Sequence, residues 1–484
     1  MSYKKFTKDV IFLGITQLFN AISGFIILPI ITKVLGAENY GIWTQLTVTL
    51  ALLSPFVLAG FPYSIVRFLP SEKDKKNIQD IVWSTFAIVF FASLIILLFF
   101  IYFATSISLF FGCDKILVQI LPIIIIFSCL NQIFLSTLRA LQKIGLYCFF
   151  TILGSLGESL LIILSIFLTW KLLGAIFAVL IIQIIIFTLI GTLIIKKIGI
   201  KLPKFYRIKE YLSFSLPTLL SDASYWIVQA SDKYFIGFFL GTLFVGYYAP
   251  AYILGCSLIL FASPLNLALP APLSKYYDEN EIDKVKNYLK YSLKYFLAII
   301  IPATFGISVL SKPLLSIIST PEIANNSYFI VPFVATSMIL CGCYDALAQI
   351  INLKKKTKIT GIIWLLAALI NVALNFIFVP LFGILGAAIT TLLAYFFALI
   401  STWIYAFQKL NFKFQIDWKF IFKSTIVSAL MYLIIFILNP IGLWKTLSAI
   451  ILGTGIYFIF IFLFKGFEKK ELDFLKEFLK FSSK

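Results

Sequence analysis

Long apolar stretches, separated by short segments rich in lysine and arginine, constrain the fold of this 484-residue chain more than any other feature. A helix needs about 20 apolar residues to cross the hydrocarbon core of a bilayer. Fourteen stretches are this long, at roughly 10–34, 42–66, 81–107, 116–138, 146–169, 172–195, 212–240, 243–269, 289–310, 327–351, 359–380, 382–407, 420–438 and 444–464. The chain is therefore predicted to be an all-α polytopic membrane protein with about 14 transmembrane helices.

The distribution of the 40 Lys and Arg residues tests this prediction. With the N-terminus placed in the cytoplasm, the inside segments hold 34 of them, the outside segments hold 5, and Lys233 remains within the membrane. The pattern follows the positive-inside rule along the whole chain, and one missed helix would invert every later segment. Both termini are therefore expected to be cytoplasmic. The same short segments explain the net charge of +19, so nucleic-acid binding is not expected.

Composition and length exclude several kinds of site. Hydrophobic residues make up 61% and charged residues 13%, too little charge to cover a soluble protein of this size. The chain has no His, and its six Cys lie mostly in apolar spans, where Cys is usually a packing residue. There is no Walker-type phosphate loop, and the outside segments are too short to hold an active site. An enzyme and a metal site are not expected.

Two local details refine the prediction. The second span contains Pro55, Gly60 and Pro62, which predict a kink. The first span is too long for a signal-peptide core and is predicted to be a transmembrane helix.

An internal repeat is indicated by two short motifs. Leu35-Gly36-x4-Gly41 recurs as Leu240-Gly241-x4-Gly246, 205 residues later. Leu173-Gly174-Ala175 recurs as Leu385-Gly386-Ala387, 212 residues later. The repeat predicts two pseudo-symmetric six-helix lobes that run in the same direction through the membrane. The predicted boundaries are 1–198 for the first lobe, 199–410 for the second, 411–466 for two extra helices, and 467–484 for a cytoplasmic interfacial tail.

Polar residues on four of the predicted helices are candidates for a substrate site. Ionisable side chains in the membrane usually face a wet cavity or one another. At helical spacing, the seventh span carries Asp222, Tyr225, Trp226, Gln229 and Lys233. The first span carries Gln17 and Asn20, the fourth carries Gln132, Ser136 and Arg139, and the tenth carries Asp345, Gln349 and Asn352. These faces are predicted to line a central cleft between the lobes, and Asp222, Asp232 and Asp345 are candidates for Na⁺ or H⁺ coupling.

A simpler interpretation remains for each of these residues. Polar side chains in membrane helices often only bond neighbouring helices. Asp232 and Lys233 could form an ion pair with each other, while Arg139 and Arg67 could serve only as positive-inside residues. Glu158 in the fifth span is isolated and ambiguous.

Three segments resemble polysaccharide transporters of the multidrug/oligosaccharidyl-lipid/polysaccharide exporter superfamily. They are Leu28-Pro-Ile-Ile-Thr-Lys-Val-Leu-Gly-Ala-Glu-Asn-Tyr-Gly41, then Ser231-Asp-Lys-Tyr-Phe-Ile-Gly-Phe-Phe-Leu-Gly241 with Val245-Gly-Tyr-Tyr-Ala-Pro-Ala-Tyr252, and Asn371-Val-Ala-Leu-Asn375 with Pro380, Gly383 and Gly386-Ala-Ala-Ile-Thr390. The resemblance implies a V-shaped pair of lobes and alternating access. It also implies that helices 13 and 14 line a groove for a lipid tail.

The resemblance implies a Wzx-type flippase of the cytoplasmic membrane. Such proteins move polyprenyl-pyrophosphate-linked oligosaccharides of the O-antigen, capsule or exopolysaccharide type from the inner to the outer leaflet. Lys233 and Arg139 are then candidates to contact pyrophosphate, with Arg67 a weaker one. Membrane lipids, a polysaccharide polymerase and chain-length machinery are implied as partners, and no cofactor beyond a coupling ion. A multidrug antiporter that binds organic cations through Asp222, Tyr225 and Trp226 is the alternative.

Overall fold

A computed structural model describes residues 3–72, 74–168, 170–205, 207–262, 269–468 and 471, and this part of the chain is helical without any strand. The α-helices are α1 Tyr3–Leu58, α2 Phe61–Phe68, α3 Lys75–Tyr102, α4 Ala104–Phe111, α5 Lys115–Ala140, α6 Ile144–Phe167, α7 Lys171–Ile198, α8 Ile208–Leu240, α9 Thr242–Cys256, α10 Pro270–Asp278, α11 Ile282–Val309, α12 Ser311–Ile318, α13 Pro321–Ser327, α14 Val331–Leu353, α15 Thr357–Phe382, α16 Ile384–Ile404, α17 Trp418–Leu438 and α18 Leu443–Leu463. Short 3₁₀ turns at Leu69–Ser71, Ser257–Phe261 and Tyr328–Ile330 extend α2, α9 and α13.

The described helices agree with the predicted count of membrane spans. Twelve of them are long and apolar enough to cross a bilayer. The 56-residue α1 contains the first predicted span and, across a kink, most of the second, whose last residues belong to α2. The 33-residue α8 corresponds to the seventh predicted span, and its polar side chains keep it out of the twelve. Counting α1 as two spans and including α8 restores the predicted fourteen, and the protein is a multi-pass membrane protein.

Two glycines of the predicted repeat interrupt the helices in the same way. Gly36 has φ 78° and ψ 175° inside α1, and Gly241 has φ 93° and ψ 168° between α8 and α9. This backbone region is open essentially only to glycine. Two positions 205 residues apart therefore share both a residue type and a conformation, which supports the repeat that the sequence indicated.

The helical turns after these two breaks touch each other reciprocally. A methyl group added to Gly41 would collide with the carbonyl oxygen of Thr242, and one added to Gly246 would collide with that of Ala37. Ala37 and Thr242 are equivalent positions of the repeat, as are Gly41 and Gly246. The contact is therefore nearly two-fold symmetric, and both glycines are required by backbones that lie too close for a side chain.

A third break separates α1 from α2 and confirms the predicted kink in the second span. Ala59 and Gly60 both have positive φ, of 45° and 70°, and Pro62 occupies the first turn of α2. The new direction brings α2 against α8, where the hydroxyl of Ser64 donates a hydrogen bond to the carbonyl of Tyr211 at 2.8 Å. A side chain at Gly60 would collide with Ser215 on α8.

The chain forms two compact units, residues 1–249 with 318–320, and residues 250–317 with 321–484. Helix α8 belongs to the first unit because it packs on α1 and α2. The lobe boundaries predicted above describe a duplication rather than packing, and they stay a prediction. Most of the predicted interfacial tail, 467–484, lies outside the described residues.

In the first unit, hydrogen bonds join α3 to the segment between α7 and α8. The indole N–H of Trp83 donates to the carbonyl of Gly199 at 2.9 Å, and the carboxylate of Asp80 accepts the backbone N–H of Lys204 at 2.5 Å. Asp80 is buried, so this bond replaces the water that its carboxylate loses.

In the second unit, a buried polar ladder joins α15 to α16. The amide of Asn375 donates to Asn371 Oδ1 at 3.1 Å, and the hydroxyl of Thr390 donates to Asn375 Oδ1 at 2.7 Å. All three side chains are fully buried. The Asn-x3-Asn and Thr390 parts of the family-like motif thus serve helix packing.

A buried lysine fastens the segment after α18. The ammonium of Lys294 on α11 lies 3.2 Å from the carboxylate of Asp417 and 2.9 Å from that of Glu471. Burial by itself would raise the pKa of Asp417, but the N–H of Phe420 and the ammonium of Lys294 together hold it below its ordinary value. The carboxylate therefore stays charged at neutral pH and compensates the buried ammonium.

We expect Gly41→Ala and Gly246→Ala each to lower the free energy of unfolding by about 1–3 kcal/mol, because the added methyl group has no space. SDS-induced unfolding of the purified protein measures this change. The control is Gly455→Ala in α18, where nothing lies within 4 Å of the added group, so alanine should match or exceed wild-type stability. Equal stabilities for all three variants would contradict the close contact.

Candidate functional site

A polar cavity of about 460 Å³ lies in the first unit, beside the break between α1 and α2. Side chains from α1, α2, α5 and α8 line it. Its polar and aromatic lining consists of Tyr63, Arg67, Gln132, Arg139, Asp222 and Trp226. The remaining lining is apolar and includes Pro55 and Pro62 beside the helix break.

Helical spacing explains why these side chains converge. Tyr63 and Arg67 are four residues apart on α2, and Gln132 and Arg139 are seven residues apart on α5. Residues at these spacings share one helix face. Asp222 and its i+4 neighbour Trp226 supply the third face, from α8. The break at Gly60 contributes as well, because it turns α2 so that its polar face meets those of α5 and α8.

Among the described residues, two arginines and one carboxylate line the cavity. The hydroxyl of Tyr63 donates a hydrogen bond to Asp222 Oδ2 at 2.8 Å and ties α2 to α8. The guanidinium of Arg139 lies 5.4 Å from the ring centre of Tyr147. Within the described part of the chain, neither Arg139 nor Arg67 forms an ion pair. Both are exposed, so their forked N–H groups remain available to an anionic ligand.

Asp232 and Lys233 form a buried ion pair on α8 rather than part of this lining. The ammonium of Lys233 donates to Asp232 Oδ1 at 3.0 Å and to the carbonyl of Gln229 at 2.9 Å. The hydroxyl of Tyr248 on α9 donates to Asp232 Oδ2 at 2.6 Å. Lys233 is 6% exposed and Asp232 is fully buried. Mutual compensation lets both charges stay away from water.

The other predicted residues lie elsewhere. On α8, the Gln229 amide donates a hydrogen bond to the hydroxyl of Tyr225, and neither residue lines the cavity. Gln17 is exposed on α1, and the buried amide oxygen of Asn20 has no hydrogen-bond partner among the described residues. The residues Ser136, Glu158, Asp345 and Gln349 lie on α5, α6, α14 and α14, respectively.

The cavity therefore brings together Asp222, Trp226, Gln132 and Arg139 from the predicted set, and their role in binding stays a prediction. Arg67, the weaker sequence candidate, joins them. Tyr63 was missed, although its i, i+4 spacing with Arg67 behind a Gly-Phe-Pro break was a usable signal.

An apolar groove of about 390 Å³ lies in the second unit, between α11, α17 and α18. Small residues on α11 and α18 leave the space, and the lining includes Ala303, Gly306, Met431, Ile435, Gly453 and Phe458. Thr454 and Tyr457 bring its hydroxyl groups. Hydrocarbon is the ligand that such a lining fits.

We expect Lys233→Met and Asp232→Asn each to lower the free energy of unfolding by about 3–5 kcal/mol, because each leaves a buried charge uncompensated. The double variant should lose clearly less free energy of unfolding than the sum of the losses of the two single variants. An SDS-unfolding double-mutant cycle measures the coupling, with Asp222→Asn, a half-buried carboxylate that faces the cavity, as control. Additive losses would show that the pair is not coupled.

Two family models match the sequence. One is described as a polysaccharide biosynthesis protein and matches residues 6–271, and the MatE model matches residues 217–377. The chain is 24% identical over 223 residues to a probable low-salt glycan biosynthesis flippase, Agl15, of Haloferax volcanii, which covers 46% of this chain and 47% of that protein. It is 26% identical over 168 residues to the probable flippase AglR of the same organism, covering 34% of each. The matches thus span half or less of these relatives.

Solved structures share the fold over most of the chain. A structure of the lipid II flippase MurJ in an inward closed conformation has a TM-score of 0.77 at 20% identity, covering 94% of this chain and 99% of that one. An inward-facing multidrug resistance MATE family transporter has a TM-score of 0.68 at 17% identity, covering 82% and 94%. At these identities the likeness establishes the all-helical fold with its two similar halves.

Proposed function

Because this chain belongs to the polysaccharide biosynthesis protein family, whose model matches more than half of it, we propose that it is a flippase for lipid-linked glycans. The substrate is an oligosaccharide joined through pyrophosphate to a polyprenyl lipid, of the kind used for O-antigen, capsule or exopolysaccharide. The protein carries it from the inner to the outer leaflet of the cytoplasmic membrane, with both of its own termini in the cytoplasm. The flippase names of the two curated relatives support this proposal.

The observation that carries the proposal is the pair of arginines that line the polar cavity of the first unit. Arg67 and Arg139 expose guanidinium groups to a space bounded by Asp222 and Tyr63. A guanidinium can donate two parallel hydrogen bonds to phosphate oxygens, which makes arginine the preferred partner of a pyrophosphate. The excess of positive charge also disfavours an organic cation, so it argues against the multidrug antiporter.

The apolar groove complements the charged cavity. A polyprenyl tail stays in hydrocarbon during transport, while the pyrophosphate and sugars need a polar route. The groove between α11, α17 and α18 offers the tail a surface of matching chemistry. We assign the groove to the tail and the cavity to the pyrophosphate.

The membrane potential favours the outward movement of the bound substrate. Two negative charges that move outward across an inside-negative membrane gain roughly 2.3 kcal/mol per charge per 100 mV. Binding of Na⁺ or H⁺ at Asp222 or Asp345 would then reset the empty carrier, since Asp232 is already paired with Lys233. Flipping in liposomes with and without an imposed ion gradient tests this coupling, and equal rates would rule it out.

We expect Arg67→Gln and Arg139→Gln to lower the flipping rate about tenfold or more, because each removes a charge-assisted contact to the pyrophosphate. The assay measures how fast the glycan of a reconstituted lipid-linked oligosaccharide becomes accessible to an added lectin. Lysine at either position should restore part of the flipping rate, since it keeps the positive charge but cannot donate the two parallel hydrogen bonds of a guanidinium.

The third arginine of the chain, Arg207, provides the matched control. It forms an ion pair with Glu72 at 2.7 Å, in which the arginine side chain is 46% exposed and the glutamate side chain 14%. Because Arg207 does not line the cavity, Arg207→Gln should flip substrate at the wild-type rate. Wild-type rates for Arg67→Gln and Arg139→Gln as well would refute the pyrophosphate site.

We expect Gly306→Leu to raise the KM for a full-length polyprenyl substrate about tenfold, because the leucine fills the groove and displaces part of the tail. An analogue with a two-isoprene tail should be unaffected. Gly455→Leu on α18 adds the same side chain where nothing lies within 4 Å, and serves as control. An equal change in KM for both tail lengths would show that the groove does not bind the polyprenyl tail.

A further inference from the structure

A second polar cavity, of about 720 Å³, lies in the first unit and is separate in its lining from the arginine cavity. We call it the outer pocket. Three segments form it: the helical turn after the Gly36 break, the connection between α4 and α5, and the start of α7. The Lys and Arg distribution predicts that all three lie on the outside of the membrane. Its volume is within the roughly 300–1,000 Å³ of small-molecule sites.

The outer pocket combines an apolar floor with a polar rim. Ile42, Leu117 and Leu172 form the floor and are 4–7% exposed. The indole of Trp170 stands at the rim and is 61% exposed. A broad aromatic surface beside a shallow apolar floor suits a ligand that has both flat apolar faces and polar edges.

The charged groups of the rim are available to a ligand. Glu38 and Asp114 bring carboxylates, and Lys171 brings an ammonium. Among the described residues, none of these three forms an ion pair. The Asp114 side chain does not cap α5 either, although it stands at the N-cap position. Asn39 adds an amide whose N–H donates to the carbonyl of Leu35 at 2.9 Å.

This chemistry selects among ligand classes. Among the described lining residues, the rim carries one more negative than positive charge, which disfavours phosphate and other anions. Sugar rings present apolar C–H faces that stack on indole, and hydroxyl groups that donate to carboxylates. We propose that the outer pocket binds the neutral saccharide part of the transported substrate on the outer side of the membrane. This inference rests on the proposed function and adds a second, anion-excluding site to it.

The two sites would then divide recognition between them. The arginine cavity takes the pyrophosphate, and the outer pocket takes the glycan once it emerges. Specificity for the sugar would be set by the rim of the outer pocket, while the arginine cavity would accept any lipid-linked pyrophosphate.

Saturation-transfer NMR on the purified full-length protein in nanodiscs tests the site, with chitotriose and maltotriose as neutral probes and a hyaluronan tetrasaccharide as an anionic one. We expect both neutral probes to bind. Trp170→Ala should lower the affinity for the more tightly bound of the two about fivefold or more. Trp170→Phe should keep most of the binding. Glu38→Gln combined with Asp114→Asn should weaken the neutral probes and strengthen the anionic one.

Trp444→Ala is the matched control, since Trp444 is also exposed, at 80%, near the start of α18 in the second unit. It should bind the probes like wild type. Equal binding by Trp170→Ala and Trp444→Ala would overturn the proposal. So would native mass spectrometry that finds a phospholipid lost from Trp170→Ala and not displaced by sugar, because the pocket would then hold a lipid headgroup.

The binding measurement needs no transport, so the two proposals can fail separately. Saccharide binding that depends on Trp170 in a protein that flips no lipid-linked glycan would refute the flippase and leave a saccharide site. Normal flipping with no saccharide binding would refute only the outer pocket.

Discussion

A peptide group inside hydrocarbon must keep its hydrogen bond, and this requirement controls where the chain can change direction. The structure meets it with long helices and concentrates its breaks at a few glycines. Gly36 and Gly241 sit in a conformation that other residues avoid, and Gly60 turns the second span into the short helix α2. The first two set the contact between α1 and α9. The third aims Tyr63 and Arg67 at the same cavity as Asp222.

Charged side chains on the long helices and on α2 are compensated in two different ways. Asp232 and Lys233 neutralise each other, and Tyr248 satisfies the second carboxylate oxygen, so this cluster can be buried completely. Arg67 and Arg139 have no such partner in the described residues and remain exposed to a cavity. The Lys and Arg distribution places both arginines at the cytoplasmic ends of their spans, where a guanidinium can stay hydrated until a ligand binds. The contrast separates the charges that hold helices together from the charges that we propose to contact a substrate.

The sequence predicts the helices well because their length and the Lys and Arg alternation follow from the bilayer itself. The fourteen spans, the kink near Gly60 and the repeat are all recognisable in the structure. The site was predicted only in part. Helical spacing places Asp222 and Lys233 on one face, but it cannot show that Lys233 turns its ammonium to the neighbouring Asp232. Arg67 was only a weaker candidate and Tyr63 was not one, because α2 is eight residues long and its direction depends on backbone angles at Ala59 and Gly60.

The reciprocal contact of Gly41 and Gly246 has the geometry of an isologous interface, in which one surface patch meets a copy of itself. Such patches normally join identical subunits across a two-fold axis. Here both copies belong to one polypeptide, which is the arrangement expected if a six-helix ancestor associated as a homodimer before its gene was duplicated and fused. After fusion the two halves could differ in sequence, and the position equivalent to Asp222 is Gln17. An asymmetric substrate with a lipid end and a sugar end could then be served by an originally symmetric scaffold.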